Sequence, residues 1–94
     1  KNPAILIDGS HDNCKLDGVK SGARQVAVIK EAMTYMKTDP EYRRLVRGFM
    51  MESFLKDGAQ KLESTTPETI DRGGLSITDP CVGWDETEKL LREI

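Results

Sequence analysis

The sequence predicts an α/β fold with parallel strands, on three observations. A short apolar run without alternation, Ala4 to Ile7, reads as a strand covered on both faces, as parallel strands are. An amphipathic helical pattern follows it, and a second stretch, Leu45 to Met51, reads as another strand. Roughly 35 residues with one helix lie between them, the length and content of a crossover joining parallel neighbours.

The elements follow in order. Asp8-Gly9-Ser10-His11-Asp12-Asn13 ends the first strand with turn-forming residues. A helix is expected from about Gly18. Val26, Ile29, Met33 and Met36 recur at three- and four-residue spacing, with Ala23 on the same side and Arg24, Lys30, Glu31 and Lys37 elsewhere. Asp39-Pro40 stops it, because proline disfavours α geometry in the residue before it. Pro40 to Arg44 fits one further helical turn. Residues 53–78 are rich in Gly, Ser, Thr and charge and read as a long loop, which in a compact domain is usually functional or mobile. The last segment, Trp84 to Ile94, reads as a helix with Trp84, Thr87, Leu91 and Ile94 on one face. Asp85 and Glu88 resemble a capping box at its start. Two parallel strands do not make a stable sheet alone, and their open edges lead to the expectation of marginal stability or self-association, as a homo-oligomer.

Composition narrows the function. The 94 residues allow one small domain at most. With 37% hydrophobic and 32% charged residues, the chain is neither disordered nor a membrane protein, and no apolar run exceeds four residues. Residues 1–47 hold nine Lys and Arg against six Asp and Glu, and residues 48–94 five against ten. That asymmetry is too small to argue for nucleic acid, and two Phe, two Tyr and one Trp offer no base-stacking platform. Lys1-Asn2-Pro3 opens no secretory signal, and two cysteines make no disulfide framework, so a reducing cytoplasm is the expected compartment. The missing initiator methionine and the end at Ile94 lead to the expectation of a piece of a longer chain.

His11, the only histidine, lies just past the carboxyl end of the first strand, and Glu52 just past that of the second. Functional sites of parallel α/β folds gather at that rim. Asp79, after the long loop, can swing over it. One imidazole and two carboxylates suit Mn²⁺, Fe²⁺, Co²⁺ or Zn²⁺. The residues match no compact metal motif, and a polar turn histidine with solvated carboxylates is the more usual reading of such spacing. Cys14 and Cys81 are alternative ligands, or partly buried small residues. Arg43, Arg44 and Arg47 lie at the other end of the second strand and read as a solvated face. No glycine-rich phosphate loop is present, and Gly73-Gly74 reads as a turn.

Four blocks add a resemblance. Ile7-Asp8-Gly9-Ser10-His11-Asp12-Asn13 resembles the IDxSHxN stretch of class I 3-deoxy-D-arabino-heptulosonate 7-phosphate (DAHP) synthases. Gly48 to Ser53 is similar to their GxMxES, Asp57 to Gln60 to their EGNQ, and Ser76 to Trp84 to their SITDACIGW. The resemblance covers nearly the whole chain. It implies a metal-dependent enzyme of the shikimate pathway, leading to the aromatic amino acids, that condenses phosphoenolpyruvate with erythrose 4-phosphate and releases phosphate. It implies a (β/α)₈ TIM barrel, of which residues 1–94 would be a single partial domain, the C-terminal βαβα quarter. It also implies His11, Glu52 and Asp79 as ligands of a divalent metal, with no further catalytic residue in this chain. The family's fourth ligand, a cysteine from an early strand, and the groups that hold both substrate phosphates have no counterpart here. The chain alone is therefore expected to be inactive; the alternative is a non-enzymatic metal-binding or self-associating module. Pro80 replaces the family's Ala after the aspartate, Gly9 stands in place of bulkier residues, and Cys81 is expected near the site, where it could be redox-sensitive.

Overall fold

A computed structural model describes residues 3–94. Lys1 and Asn2, part of the stretch read as lacking a signal, lie outside the described residues.

Strand β1 (Ile5–Asp8) leads through a 3₁₀ turn (His11–Cys14) to two short strands, β2 (Lys15–Leu16) and β3 (Val19–Lys20). Helix α1 (Gly22–Thr38), helix α2 (Pro40–Leu45), strand β4 (Val46–Met50) and helix α3 (Trp84–Glu93) follow, with a second 3₁₀ turn at Leu62–Ser64. β1 and β4 are parallel, Leu6 opposite Gly48, Ile7 opposite Phe49 and Asp8 opposite Met50. The predicted strand–helix–strand order is present. No described helix is long and apolar enough to cross a membrane.

Local chemistry explains the boundaries. Ser21 caps α1 by accepting a hydrogen bond from the Arg24 N–H at 3.2 Å, so the helix starts at Gly22 rather than near Gly18. The intervening residues form the β2–β3 hairpin, which the sequence reading missed. Asp17 and Gly18 both have positive φ, 52° and 80°, as a tight two-residue hairpin turn requires. Asp39 caps α2, accepting from Glu41 and Tyr42, and Pro40 occupies the first turn, where its missing N–H costs nothing. α3 is capped at Gly83 without a side-chain bond, so Asp85 lies in the first helical turn rather than at the expected capping-box position.

The buried helix faces differ from those predicted. On α1 the buried residues are Gly22, Gln25, Ile29 and Ala32, while Ala23 is exposed. On α3 they are Thr87 and Leu90, while Trp84, Leu91 and Ile94 are all about half exposed. On α1 the polar Gln25 occupies the inner stripe, which an apolar periodicity cannot see, and on α3 the expected Thr87 is buried but its expected apolar companions are not. β1 is also not covered on both faces: Ile5 is 46% and Leu6 68% exposed. The described residues give it one neighbouring strand only. The Cα radius of gyration is 15.5 Å, against about 12 Å for a compact globule of this length.

The segment read as a loop is held by backbone pairing. Isolated bridges join Ser53 to Val82, Gly58 to Cys81 and Ala59 to Ser76. The Gln60 amide donates to the Asp71 and Leu75 carbonyls at 2.8 and 3.2 Å and accepts from the Asp71 N–H at 2.9 Å. Gly74 has φ 101°, and a Cβ there would lie 2.5 Å from Leu55 Cβ, so the turn at Gly73-Gly74 needs glycine.

Candidate metal centre

Three segments converge at the carboxyl ends of β1 and β4. The first is the turn after β1. Asp8 organises it: Oδ1 accepts the Ser10 N–H at 2.8 Å, the backbone carbonyl accepts Asn13 Nδ2 at 2.8 Å, and Oδ2 meets His11 Nδ1 at 2.9 Å. These bonds hold His11 at φ 54°, a left-handed conformation uncommon for a residue with a side chain, though His is among the more tolerant. The Ser10 N–H pulls the Asp8 carboxyl below its ordinary value, and His11 adds to this. In return the hydrogen bond to Asp8 raises the His11 imidazole above its ordinary value. Asp8 also decides which ring nitrogen is free. With Nδ1 engaged, Nε2 faces the site, the arrangement that orients a metal-binding histidine.

The second segment follows β4. Glu52 lies two residues beyond the strand, 29% exposed, and the buried Ser10 hydroxyl donates to its carboxylate. Its Oε1 lies 3.8 Å from His11 Nε2. Parallel pairing with the third segment fixes the distance between the two: Val82 donates its N–H to the Glu52 carbonyl at 2.9 Å, and Phe54 donates to the Val82 carbonyl at 3.0 Å. Asp79 lies three residues before Val82. Its carboxylate meets Lys20 Nζ at 3.3 and 3.4 Å, so the β3 hairpin supplies a cation to the site edge.

One ligand atom each from His11, Glu52 and Asp79 lie within 4.8 Å of one another, the metal-competent group among the described residues. Donors about 2.1 Å from one tetrahedral ion are about 3.4 Å apart, so the three groups would draw in by up to about 1.4 Å to share one ion. One imidazole nitrogen and two carboxylate oxygens fit Mn²⁺, Fe²⁺, Co²⁺ or Zn²⁺.

The other sequence candidates do not join them. Cys14 is buried, its thiol donating to the His11 carbonyl at 3.2 Å. Cys81 is 8% exposed, and burial pushes its thiol up, against the thiolate that oxidation needs. The expectation of redox sensitivity at Cys81 therefore finds no support. Arg43, Arg44 and Arg47 are exposed at the opposite end of β4, with Arg44 paired to Glu41 at 2.8 Å. The sequence reading missed Asp8, Ser10, Lys20 and Gln25. Only Asp8 and Ser10 gave a signal, standing beside the histidine in the first block.

Comparison with known proteins gives a consistent picture. Residues 1–92 match the model of the DAHP synthetase I family. The Trp-sensitive phospho-2-dehydro-3-deoxyheptonate aldolase of Escherichia coli K12 is 36% identical over 90 residues, 96% of this chain and 23% of the relative. That of Enterobacter agglomerans is 42% identical over 87 residues, 93% and 22% respectively. The solved phospho-2-dehydro-3-deoxyheptonate aldolase of Francisella tularensis SCHU S4 superposes with a TM-score of 0.69 at 29% identity, covering 95% of this chain and 23% of that one. The chain thus spans about a quarter of the length of these relatives.

Proposed function

Because the chain belongs to the DAHP synthetase I family, we propose that it forms the C-terminal βαβα quarter of a (β/α)₈ barrel. In this reading residues 1–94 are one partial domain of a DAHP synthase, and His11, Glu52 and Asp79 hold a divalent metal. The observation that carries it is the convergence of these three side chains from three segments onto one rim.

The whole enzyme would condense phosphoenolpyruvate with erythrose 4-phosphate, as its relatives' family does. When bound, the divalent cation supplies Lewis acidity toward a carbonyl oxygen. The residues of this chain prepare that site. Asp8 keeps the His11 ring oriented with Nε2 outward. Ser10 holds one Glu52 oxygen through its hydroxyl hydrogen. Lys20 neutralises part of the Asp79 charge at the edge of the site. Three protein ligands leave positions open for substrate and water, unlike a closed structural site. The exposed Ile5 and Leu6 and the expanded radius of gyration support a partial domain, whose remaining strands would cover β1. The isolated chain would then be inactive. The same exposed edge supports the second reading, a self-associating metal-binding module.

A chimera tests the proposal. This chain would replace the matching quarter of the Escherichia coli relative, and phosphate release from phosphoenolpyruvate with erythrose 4-phosphate would be followed. Chelator-sensitive turnover, lost in His11→Ala and Glu52→Ala, is expected. A folded chimera with unchanged turnover in both variants would overturn the metal assignment, and a folded but inactive one would favour the second reading.

A further inference from the structure

We propose that Gln25 is the positioning residue that sets the spacing between the Glu52 and Asp79 segments, an inference that rests on the metal reading of the site. Gln25 lies on the inner stripe of α1, one turn before Ile29, and is fully buried. A primary amide offers one acceptor oxygen and two donor hydrogens, and both ends are engaged. Oε1 accepts the Glu52 N–H at 2.8 Å, and Nε2 donates to the Glu52 carbonyl at 3.3 Å and to the Pro80 carbonyl at 3.1 Å. The amide cannot be flipped, since that would set its oxygen against two carbonyls and its NH₂ against an N–H.

Two features of the chain make this clamp necessary. The β1–β4 ladder ends before Glu52: its last pair is Asp8 with Met50, and the Gly9 N–H reaches back to the Met50 carbonyl. Beyond that point the strand no longer orients the Glu52 backbone, and Gln25 and Val82 take over. Pro80 has no N–H of its own, so its carbonyl is its only backbone hydrogen-bonding group, and that group goes to Gln25. One side chain therefore grips the backbone of one ligand and the residue directly after another. The same stretch of helix also backs the third ligand's turn. A Cβ added at Gly9 would lie 3.1 Å from Ile29 and 3.2 Å from the Gln25 carbonyl, so β1 closes tightly on α1 just before His11. Groups that orient metal ligands typically change metal affinity by roughly 10–100-fold when removed.

The test is Mn²⁺ binding to the full chain, by calorimetry and by the Mn²⁺ electron paramagnetic resonance line shape. It compares wild type with Gln25→Leu, Gln25→Glu, Glu52→Ala and Leu90→Ala. Gln25→Glu keeps the acceptor and removes the donors. Leu90→Ala loosens a buried apolar contact without removing any hydrogen bond to the ligand segments. The expected result is binding abolished in Glu52→Ala and weakened roughly 10–100-fold in Gln25→Leu with an altered line shape. Gln25→Glu should fall between, and Leu90→Ala near wild type. Wild-type affinity in both Gln25 variants, with Glu52→Ala still inactive in binding, would overturn the clamp and leave the metal reading intact. An equal loss in Leu90→Ala would reduce Gln25 to a general structural role and overturn it too. Equal binding by wild type and Glu52→Ala would remove the metal reading and the clamp with it. If Gln25→Leu fails to fold, Gln25→Glu decides by the same criteria.

Discussion

Gly22→Ala gives a measurable test of how α1 is seated behind the site. An added Cβ would lie 2.7 Å from Asp57 Oδ1, 2.7 Å from the Cys81 carbonyl oxygen and 3.2 Å from the Cys81 carbonyl carbon. The Asp57 side chain can rotate away. The Cys81 backbone cannot, because it exchanges both hydrogen bonds with Gly58, at 2.9 and 3.0 Å. Relief therefore requires shifting the first turn of α1 or opening that bridge. Overpacking of this kind costs about 1–3 kcal/mol. The higher helix propensity of alanine returns at most about 1 kcal/mol. Taken at mid-range, the expected net is a loss of about 1 kcal/mol, which for a domain of this size lowers Tm by roughly 4–8 °C. Urea unfolding followed through Trp84 fluorescence, the single tryptophan, measures it. Equal or greater stability in Gly22→Ala would refute the close approach of α1 to Cys81 and the seating of the Asp79 turn derived from it.

Three further outcomes are expected. Thr87 is buried, its Oγ1 2.6 Å from Ser53 Oγ and 2.8 Å from the Gly83 carbonyl. Thr87→Val should cost about 0.5–1.5 kcal/mol in urea unfolding by removing the hydrogen bonds of the buried hydroxyl, the exposed Ser53 turning to water, and an unchanged midpoint would contradict this. Lys20→Gln removes the cation that competes at Asp79. Since a partly exposed pair is worth about 0.2–1 kcal/mol, Mn²⁺ affinity should rise by up to about fivefold, and weaker binding would mean that Lys20 supports the site instead. The Lys56 ammonium, with the Gly73 N–H, holds the Asp71 carboxyl below its ordinary value. The folded value is depressed, so the stabilisation is complete above the unfolded value of ~3.9 and is lost as pH falls through the lower folded value. Carboxyl NMR titration should therefore place the Asp71 midpoint below that of an ordinary aspartate, and Lys56→Gln should raise it; a midpoint at or above the ordinary value in the wild type would contradict the pairing.

The sequence made legible what depends on periodicity. The unalternated Ala4–Ile7 run, the helix ending at Asp39-Pro40 and the apolar run near Phe49 are local signals, and the β1, α1 and β4 elements follow them closely. The site trio was legible for a different reason. His11 and Glu52 follow the ends of two parallel strands, Asp79 follows the loop that reaches the same rim, and the family resemblance implied the same three residues. Less was visible where polar groups bond across long stretches of chain. Gln25 fell outside the apolar periodicity, yet it is buried, its amide bonded to the Glu52 and Pro80 backbone groups. Thr87 was grouped with Trp84 and Leu91, but its hydroxyl places the inner face of α3 toward Ser53. Residues 53–78 showed no period because Gln60, Gly74 and single bridges hold them, rather than strands. The β2–β3 hairpin is two residues per strand, too short for alternation, and only Asp17-Gly18 announced it.

The measurement that bears most directly on the central claim is a calorimetric Mn²⁺ titration of the full chain beside Glu52→Ala. Saturable binding at one site, lost in the variant, is the predicted result. It would establish that His11, Glu52 and Asp79 act together as ligands. Saturable binding that is equal in the wild type and the variant would contradict the assignment of these three residues as a metal centre.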